Sequence, residues 1–253
     1  MRNEWLMIAA LAASFPAAAV PTDITVRVLA KDAKFIGTGM GGVRITISDA
    51  DTGELLAQGV TQGGVGDTER IIEQPRKRGL PLATEDAAAF HGSIDIDRPR
   101  RVEVSAYGPL VYPDAANRVS ATQWVVPGKH ITAGDAWLLE MPGFFVQIAP
   151  PAAPFHLGRH GAKVPITAKV VMMCGCATTP GGVWDSNRYE IEGVLLQAGK
   201  VVASVPLHSS GNASEYTAEV EVSAAGAYEA MAWAYDPANG NTGVAHASIL
   251  VAR

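Results

Sequence analysis

Short stretches in which apolar and polar residues alternate recur along the chain, and turn-forming residues separate them. Residues 24–29, 43–47 and 101–107 follow this period of two, which places alternate side chains on opposite faces of a strand. The sequence contains 26 Gly and 16 Pro, only 18% of its residues are charged, and Val, Ile and Thr are frequent. Strands of this kind, with tight turns between them, predict an all-β protein.

The N-terminus has the pattern of a secretory signal peptide. Arg2 provides a positive charge, an apolar run follows at residues 6–13, and the alanines at residues 17–19 are small enough for cleavage after Ala19. The apolar run is shorter than the roughly 20 residues of a membrane span, and no later stretch reaches that length. We therefore expect signal-peptide removal and a mature protein that is periplasmic or secreted, without a transmembrane segment. A retained N-terminal anchor is the alternative.

The charge balance is mildly acidic, with 25 Asp and Glu against 20 Lys and Arg and a formal net charge of −5. The sequence therefore predicts no nucleic-acid partner, and it shows no basic stripe for anionic lipid. Residues 69–78 are polar and basic and contain Pro75, so we expect an irregular excursion there. Residues 82–90 are expected to form a short helix with Thr84 as its N-cap.

Three prolines within six residues, at residues 149–154, are the clearest linker signal in the chain. Such a segment favours extended, semi-rigid polyproline geometry. We therefore predict two β-sandwich domains, at residues 20–148 and 156–253, joined by a linker at residues 149–155. In this division residues 143–148 close the first domain. Cleavage at the linker should release a folded fragment, whereas a single unfolding transition would indicate a shared interface or core.

The turn motifs of the two halves resemble those of known sandwich families. In residues 43–67 a strand, a D-x-x-T-G-E turn at residues 49–54, a second strand and a Gly-rich connection resemble the carboxypeptidase regulatory-like and transthyretin-like domains. Residues 226–251 contain a Tyr strand, an A-x-D turn with G-N-T and a final apolar strand, and they resemble the last hairpin of bacterial Ig-like domains. The resemblance implies a sandwich fold, and such repeats serve binding, adhesion and spacing without a common active site.

The most suggestive cluster of side chains contains the two cysteines of the chain, Cys174 and Cys176. They follow a predicted strand at residues 164–173, and on an extended strand they would point to the same side as Met172. Three sulfurs on one edge suit a soft ion such as Cu(I). His246 is our candidate for a further metal ligand; the alternatives are His208 and Met173.

A disulfide between Cys174 and Cys176 is a competing interpretation, because cysteines of exported proteins are usually oxidised. A bridge over one residue requires a bend, which Gly175 permits. Such a short loop restricts the unfolded chain little, so we expect it to contribute little stability. Free thiols are the third alternative. Trp184, in the long loop after the cysteines, could line a site there or cap the sandwich.

The remaining signals for chemistry are weaker. Asp49, Asp51 and Glu54 could attract a hard cation, although Asp and Gly are routine in hairpin turns. No common catalytic motif occurs. The sequence thus favours an exported, non-catalytic binding protein whose partner is a metal ion, with copper as the candidate, or another protein. The alternatives are a structural or adhesive sandwich that presents loops to a protein partner and, third, an enzyme with a non-local active site.

Overall fold

The computed structural model describes residues 18–149, 153–159 and 161–253. The expected signal peptide falls mostly on residues 1–17, outside the described residues, and it stays a prediction. Within the described ranges, no helix is long and apolar enough to cross a membrane. These ranges form an all-β protein built from two packed sandwiches, as the sequence predicted.

The strands of the described residues fall into two groups that follow each other along the chain. The first sandwich contains β1 (Val20–Ala30), β2 (Arg44–Asp49), β3 (Leu55–Val60), β4 (Phe90–Ile96), β5 (Arg100–Gly108), β6 (Asn117–Val125) and β7 (Trp137–Met141). The second half contains β8 (Phe144–Ile148), β9 (Phe155–His156), β10 (Ala162–Met172), β11 (Thr178–Thr179), β12 (Trp184–Asp185), β13 (Glu190–Gln197), β14 (Lys200–Pro206), β15 (His208–Ser209), β16 (Glu215–Val222), β17 (Gly226–Tyr235) and β18 (Thr242–Ala252). Short helical turns occur at Thr38–Met40, Glu69–Glu73, Pro113–Ala115 and Ser186–Arg188.

The first sandwich packs a sheet of order β4-β1-β7 against one of order β3-β2-β5-β6. β1 pairs antiparallel with β4 and parallel with β7. Ile24, Val26 and Val28 of β1 are buried, as are Ile45 of β2 and Val104 of β5 in the facing sheet. The alternating apolar residues of these strands therefore form the core, because one face of each sheet is turned inward.

The second sandwich packs a sheet of order β15-β16-β10-β8 against one of order β14-β13-β17-β18-β9. The strand predicted at residues 164–173 is confirmed as β10, which runs from Ala162 to Met172. β11 and β12 form a separate two-stranded parallel pair in the long connection that follows β10. The Ig-sized half of the sequence thus folds as the predicted sandwich.

The Pro-rich segment lies between two strands of the same sandwich. The sequence assigned residues 143–148 to the first domain, but β8 pairs antiparallel with β10 of the second sandwich. β9, on the other side of the prolines, pairs in parallel with β18 in the opposite sheet. Proline lacks an amide donor and interrupts pairing equally where a chain changes sheets and where it changes domains. The pattern could not distinguish these two cases.

The short helix predicted at residues 82–90 is wrong. Ala87 and Ala89 instead form bridges with Gly64 and Gln62, and β4 begins at Phe90. The backbone N–H of Ala89 donates to the carbonyl of Gln62 at 2.9 Å, and the reverse bond has the same length. These long-range backbone pairs override the local helix signal because they satisfy the same donors and acceptors.

Candidate functional site

The two cysteines form a disulfide within a tight turn at residues 172–176, called the sulfur turn here. Their Cα atoms are 5.4 Å apart, a separation that a disulfide can bridge. Gly175 N donates to Met172 O at 2.7 Å, and Met172 N donates to Cys176 O at 3.0 Å. β10 therefore ends at Met172. The alternation of an extended strand does not continue to the cysteines, so it does not govern where their sulfurs point.

Gly175 allows this turn for two physical reasons. Its φ of +80° lies in the left-handed region that side chains other than glycine rarely adopt. A Cβ at this position would also come within 2.6 Å of Met40 Sδ. Met40 belongs to the first sandwich, so a side chain from the other half covers the sulfur turn. Sequence reasoning missed Met40 because 135 residues separate it from Gly175, and no local pattern connects them.

The four predicted metal ligands differ in their surroundings. Met172 is fully buried and Cys174 is 3% exposed, while Cys176 is partly exposed. His246 lies on the outward face of β18, in the sheet opposite β10, with its Nδ1 2.7 Å from Glu229 Oε1. The structure therefore brings Met172 and the cysteines together in one turn, whereas His246 is held by Glu229 on the other sheet. Among the described residues, no three His, Cys, Asp or Glu side chains converge on a possible metal position.

The sulfur turn lies close to a polar contact between the sandwiches, which we call the junction. Asn241 is fully buried there, and its Nδ2 donates to Lys31 O of the first sandwich at 3.0 Å. Its Oδ1 accepts from Gly143 N at 2.9 Å. Lys31 Nζ donates in turn to Asn239 O at 2.7 Å. These bonds fix the turn after β17 against the end of β1.

Trp184 adds a second connection across the junction. Its indole Nε1 donates to the carbonyl of Asp32 at 2.8 Å, and its ring is buried. The buried apolar side chains of both sandwiches also form one contiguous cluster. Trp184 thus packs against the first sandwich. The sequence had suggested only that it lines a site in its loop or caps its own sandwich. The two halves share an interface, which is the outcome that favours a single unfolding transition.

The junction contains one carboxyl group, that of Asp32, whose negative charge is disfavoured by its surroundings. Asp32 keeps part of its surface in solvent, but partial desolvation raises its pKa, and the nearby Asp236 carboxylate raises it further. Asn239 Nδ2 lies 2.8 Å from Asp236 Oδ2 and 3.3 Å from Asp32 Oδ2, so one amide serves both carboxylates. Burial also raises the pKa of Tyr189, and the same two carboxylates add to that effect. The junction therefore disfavours negative charge.

An open cleft of about 490 Å³ lies beside the junction, between the two sandwiches. Tyr112 and the helical turn Pro113–Ala115 of the first sandwich form one wall, and β8 and β18 form the others. Tyr112 and Val244 expose apolar surface. The polar side chains on the cleft are Asp114, Gln147 and His246. His246 is thus a cleft residue, which sequence patterns could not show because the wall facing it comes from another domain.

Two strand edges face this cleft. Among the described residues, β8 pairs only with β10, and β18 pairs with β17 along its length and with β9 only at Val251 and Ala252. The remaining edge of β18, from Thr242 to Leu250, has no strand partner in the described part of the chain. Such edges carry backbone N–H and C=O groups that an additional strand can pair with.

The carboxylate-rich turn at residues 49–54, the aspartate turn, is already neutralised by arginines. Arg100 Nη1 lies 2.9 Å from Glu54 Oε2 and 3.3 Å from Asp49 Oδ2. Arg101 Nη2 lies 2.7 Å from Asp51 Oδ1. Backbone N–H groups of the turn lower the pKa of Asp49, and Arg100 adds to that effect. The geometry is that of a hairpin turn, the interpretation that the sequence favoured.

No family model matches the chain, and no curated protein matches it. Among solved structures, an engineered protein is 20% identical over 48% of this chain, which spans 23% of that protein's length, with a TM-score of 0.31. Fibronectin(III)-like modules of Clostridium thermocellum CbhA are 11% identical, with 92% of this chain and 94% of theirs covered and a TM-score of 0.29. A chimeric titin Z1Z2 protein is 12% identical, with 94% and 99% covered and a TM-score of 0.24. At such TM-scores these likenesses carry no argument, and the sandwich assignment rests on the sheets described above.

Proposed function

We propose that the protein is an exported, non-catalytic binding module that holds an extended segment of a protein partner in the cleft between its sandwiches. The observation that carries this proposal is a pair of strand edges, without strand partners among the described residues, that line one cleft with exposed apolar side chains. Export is supported by the signal-peptide pattern and is consistent with a disulfide, which persists in oxidising compartments.

The cleft offers the two kinds of contact that recognition of an extended peptide requires. Backbone groups of β18 can form the main-chain hydrogen bonds of an added strand, which supply affinity. Tyr112 and Val244 can contact alternate side chains of that strand, which supply specificity. A cleft of about 490 Å³ falls within the usual size of binding pockets. The junction holds both walls in place, which lowers the ordering cost of binding.

Selection from a peptide library tests this proposal whatever the sequence of the partner. Peptides that bind the full-length mature protein are selected from a library of linear peptides. Their affinities for the wild type and for Val244→Asp are then compared. The matched control is Val201→Asp, an exposed valine on β14 at the other edge of the same sheet. We expect the cleft variant to weaken binding roughly tenfold or more, as a central interface residue does, and the control to leave it unchanged.

Hydrogen exchange supplies a second readout of the same binding. Bound peptide should protect backbone amides of β18 and leave those of β14 unprotected. Selected peptides that bind Val244→Asp as tightly as the wild type would show that the cleft is not the binding site. A selection that enriches no cleft-dependent peptide would also contradict the proposal.

Metal handling at the sulfur turn is a second candidate function, and Met40 is the observation that favours it. After reduction, Cys174 and Cys176 would offer thiolates, and the neighbouring Met40 Sδ would offer a thioether. Cu(I) prefers such soft ligands. Met172 and His246 fit this role less well, because Met172 is fully buried and His246 is held by Glu229 on the opposite sheet.

Competition between the reduced protein and a Cu(I) chelator tests this candidate. We expect the wild type to retain one Cu(I) and the double variant Cys174→Ser/Cys176→Ser to lose it. Met40→Leu should weaken retention, whereas His246→Gln should leave it unchanged. Equal copper retention by the wild type and the double Ser variant would rule out metal handling at the sulfur turn and favour partner binding as the function.

A further inference from the structure

The sequence shows no extended basic stripe, but one loop of the first sandwich gathers several cations on a protein that is acidic as a whole. This basic loop, residues 70–82, carries Arg70, Arg76, Lys77 and Arg78. Within the described part of the chain, none of these cations forms an ion pair with a carboxylate. The loop also contains one carboxylate, Glu73, which forms no ion pair among the described residues, so its formal net charge is about +3. Glu69, just before the loop, accepts a hydrogen bond from Gln74 Nε2 at 3.0 Å, and Arg70 Nη1 donates to the Ala83 carbonyl at 3.2 Å. The charge of the loop is therefore available to a ligand.

The base of the basic loop is fixed to the sandwich. Ile71 and Leu82 are buried in a small apolar cluster with Phe35, separate from the main core. The Asp135 carboxylate accepts from Leu82 N at 3.0 Å and from Ala83 N at 2.8 Å. These contacts hold both ends of the loop, so its cations are presented together at one place on the surface.

The tip of the loop combines cations with an exposed apolar side chain. Arg70, Arg76 and Lys77 line a pocket of about 170 Å³, together with Pro75 and Leu80. Leu80 is 65% exposed, the largest exposure among the exposed large apolar side chains of the described residues. Unpaired cations attract an anion, but a free anion gives Leu80 nothing to contact. An anionic group attached to an apolar body uses both features.

We propose that the basic loop binds phosphate headgroups of an anionic lipid surface, with Leu80 entering the interface. Each Lys or Arg near such a surface contributes about fivefold to binding. One weak attraction rarely anchors a protein, and the loop supplies two kinds, charge and apolar contact. Because the protein carries a net charge of −5, the molecule as a whole does not attract an anionic surface, and a local group of cations is required. This site is separate from the cleft and does not depend on the partner proposed for it.

Vesicle co-sedimentation of the full-length mature protein tests the lipid site. We expect binding to vesicles that contain phosphatidylglycerol, weakening as salt is added, and no binding to pure phosphatidylcholine. Arg76→Gln/Lys77→Gln/Arg78→Gln should reduce binding on the order of 100-fold. Leu80→Ser should reduce it about tenfold, since burial of a leucine side chain is lost.

Two matched controls separate the loop from general charge and apolar effects. Lys129→Gln/Lys163→Gln/Lys200→Gln removes the same charge from exposed positions elsewhere, and Leu55→Ser changes another exposed leucine. Both should bind vesicles like the wild type. Equal losses in the control and loop variants, or no binding to anionic vesicles, would overturn the proposal. Calorimetric binding of inorganic phosphate without vesicle binding would assign the loop to free phosphate and would also overturn it.

Discussion

Two turns of this protein gather ligand atoms, and their surroundings differ. In the aspartate turn the neighbouring strand β5 supplies Arg100 and Arg101, which pair with its carboxylates. In the sulfur turn the covering side chain, Met40, comes from the other sandwich. The aspartate turn follows β2 at the end remote from Met40, about 20 Å of strand away. One turn is completed within its own sheet, the other by a different part of the chain.

The difference shows what decides the role of such a turn. The residues of the turn provide the ligand atoms, but the neighbouring part of the protein determines whether these atoms stay available to a ligand. Arginines neutralise the aspartates, and the packing of two sandwiches encloses most of the sulfur turn. The basic loop is the contrasting case, because no carboxylate of the described residues pairs with its cations. Availability of charge therefore favours the basic loop as a ligand site.

The largest effect should come from Asn241→Ala, which tests whether the junction is structural. The substitution leaves the half-buried Lys31 carbonyl and the buried Gly143 N–H without their partner. Each unsatisfied buried group costs about 1–3 kcal/mol, so the free energy of unfolding should fall by about 3 kcal/mol in urea denaturation. Asn212→Ala, at an exposed turn, is the control and should change it by less than about 0.5 kcal/mol. A small effect of Asn241→Ala would show that the junction stabilises little.

Reduction of the disulfide should have a smaller effect than loss of Asn241. A loop closed over so few residues restricts the unfolded chain by about 1.5 kcal/mol, against about 3 kcal/mol for a loop of 15 residues. We therefore expect reduction to lower the free energy of unfolding by about 1.5 kcal/mol. Cys174→Ser/Cys176→Ser should show no response to the reductant. A loss on reduction as large as that of Asn241→Ala would contradict the chain-entropy argument and show that the disulfide supports the packing around the sulfur turn.

The sequence predicted local features well because they depend on local chemistry. Alternation over residues 24–29 and 101–107 identified strands whose inward faces are buried. Asp and Gly predicted the hairpin turn at residues 49–54, and Gly175 predicted the bend that the disulfide requires. In each case the residues that determine the conformation lie within a few positions of one another.

Features that join distant residues could not be predicted in this way. Nothing near Gly175 indicates that Met40 lies against it, and nothing near His246 indicates a cleft wall around Tyr112. The assignment of β8 failed for the same reason, since its partner β10 was separated from it by prolines that fitted a linker equally well. Pairing and packing between distant segments decide these features, and local patterns along the sequence do not indicate which distant segments meet.

Trp184→Phe should show a smaller effect on the junction than reduction. Phenylalanine keeps most of the buried ring but loses the N–H that donates to Asp32 O. A net hydrogen bond contributes about 1 kcal/mol, so we expect the free energy of unfolding to fall by that amount. Trp124→Phe, on the exposed side of β6, is the matched control and should be neutral. Unfolding is followed by circular dichroism, because both substitutions remove a tryptophan and therefore change the intrinsic fluorescence. Equal effects of the two variants would show that the Trp184 bond does not contribute.

The smallest effect concerns pH, and it should have opposite signs at the junction and at the aspartate turn. The pKa of Asp32 is raised in the folded protein, so its protonation stabilises the fold below the unfolded pKa of about 3.9. That contribution is lost as pH rises through the folded pKa. The pKa of Asp49 is lowered, so its contribution is present above the unfolded pKa and is lost as pH falls through the folded one.

Asn substitutions at these two positions test the sign directly. Asp32→Asn keeps a side chain that tolerates the positive φ of this residue, and it should stabilise the protein at pH 7 but not at pH 3. Asp49→Asn should destabilise at pH 7, with the difference shrinking toward pH 3. The measurement is the free energy of unfolding of both variants and the wild type across that range. If both variants shift stability in the same direction at pH 7, burial does not disfavour charge at the junction, and the two regions do not differ electrostatically as proposed.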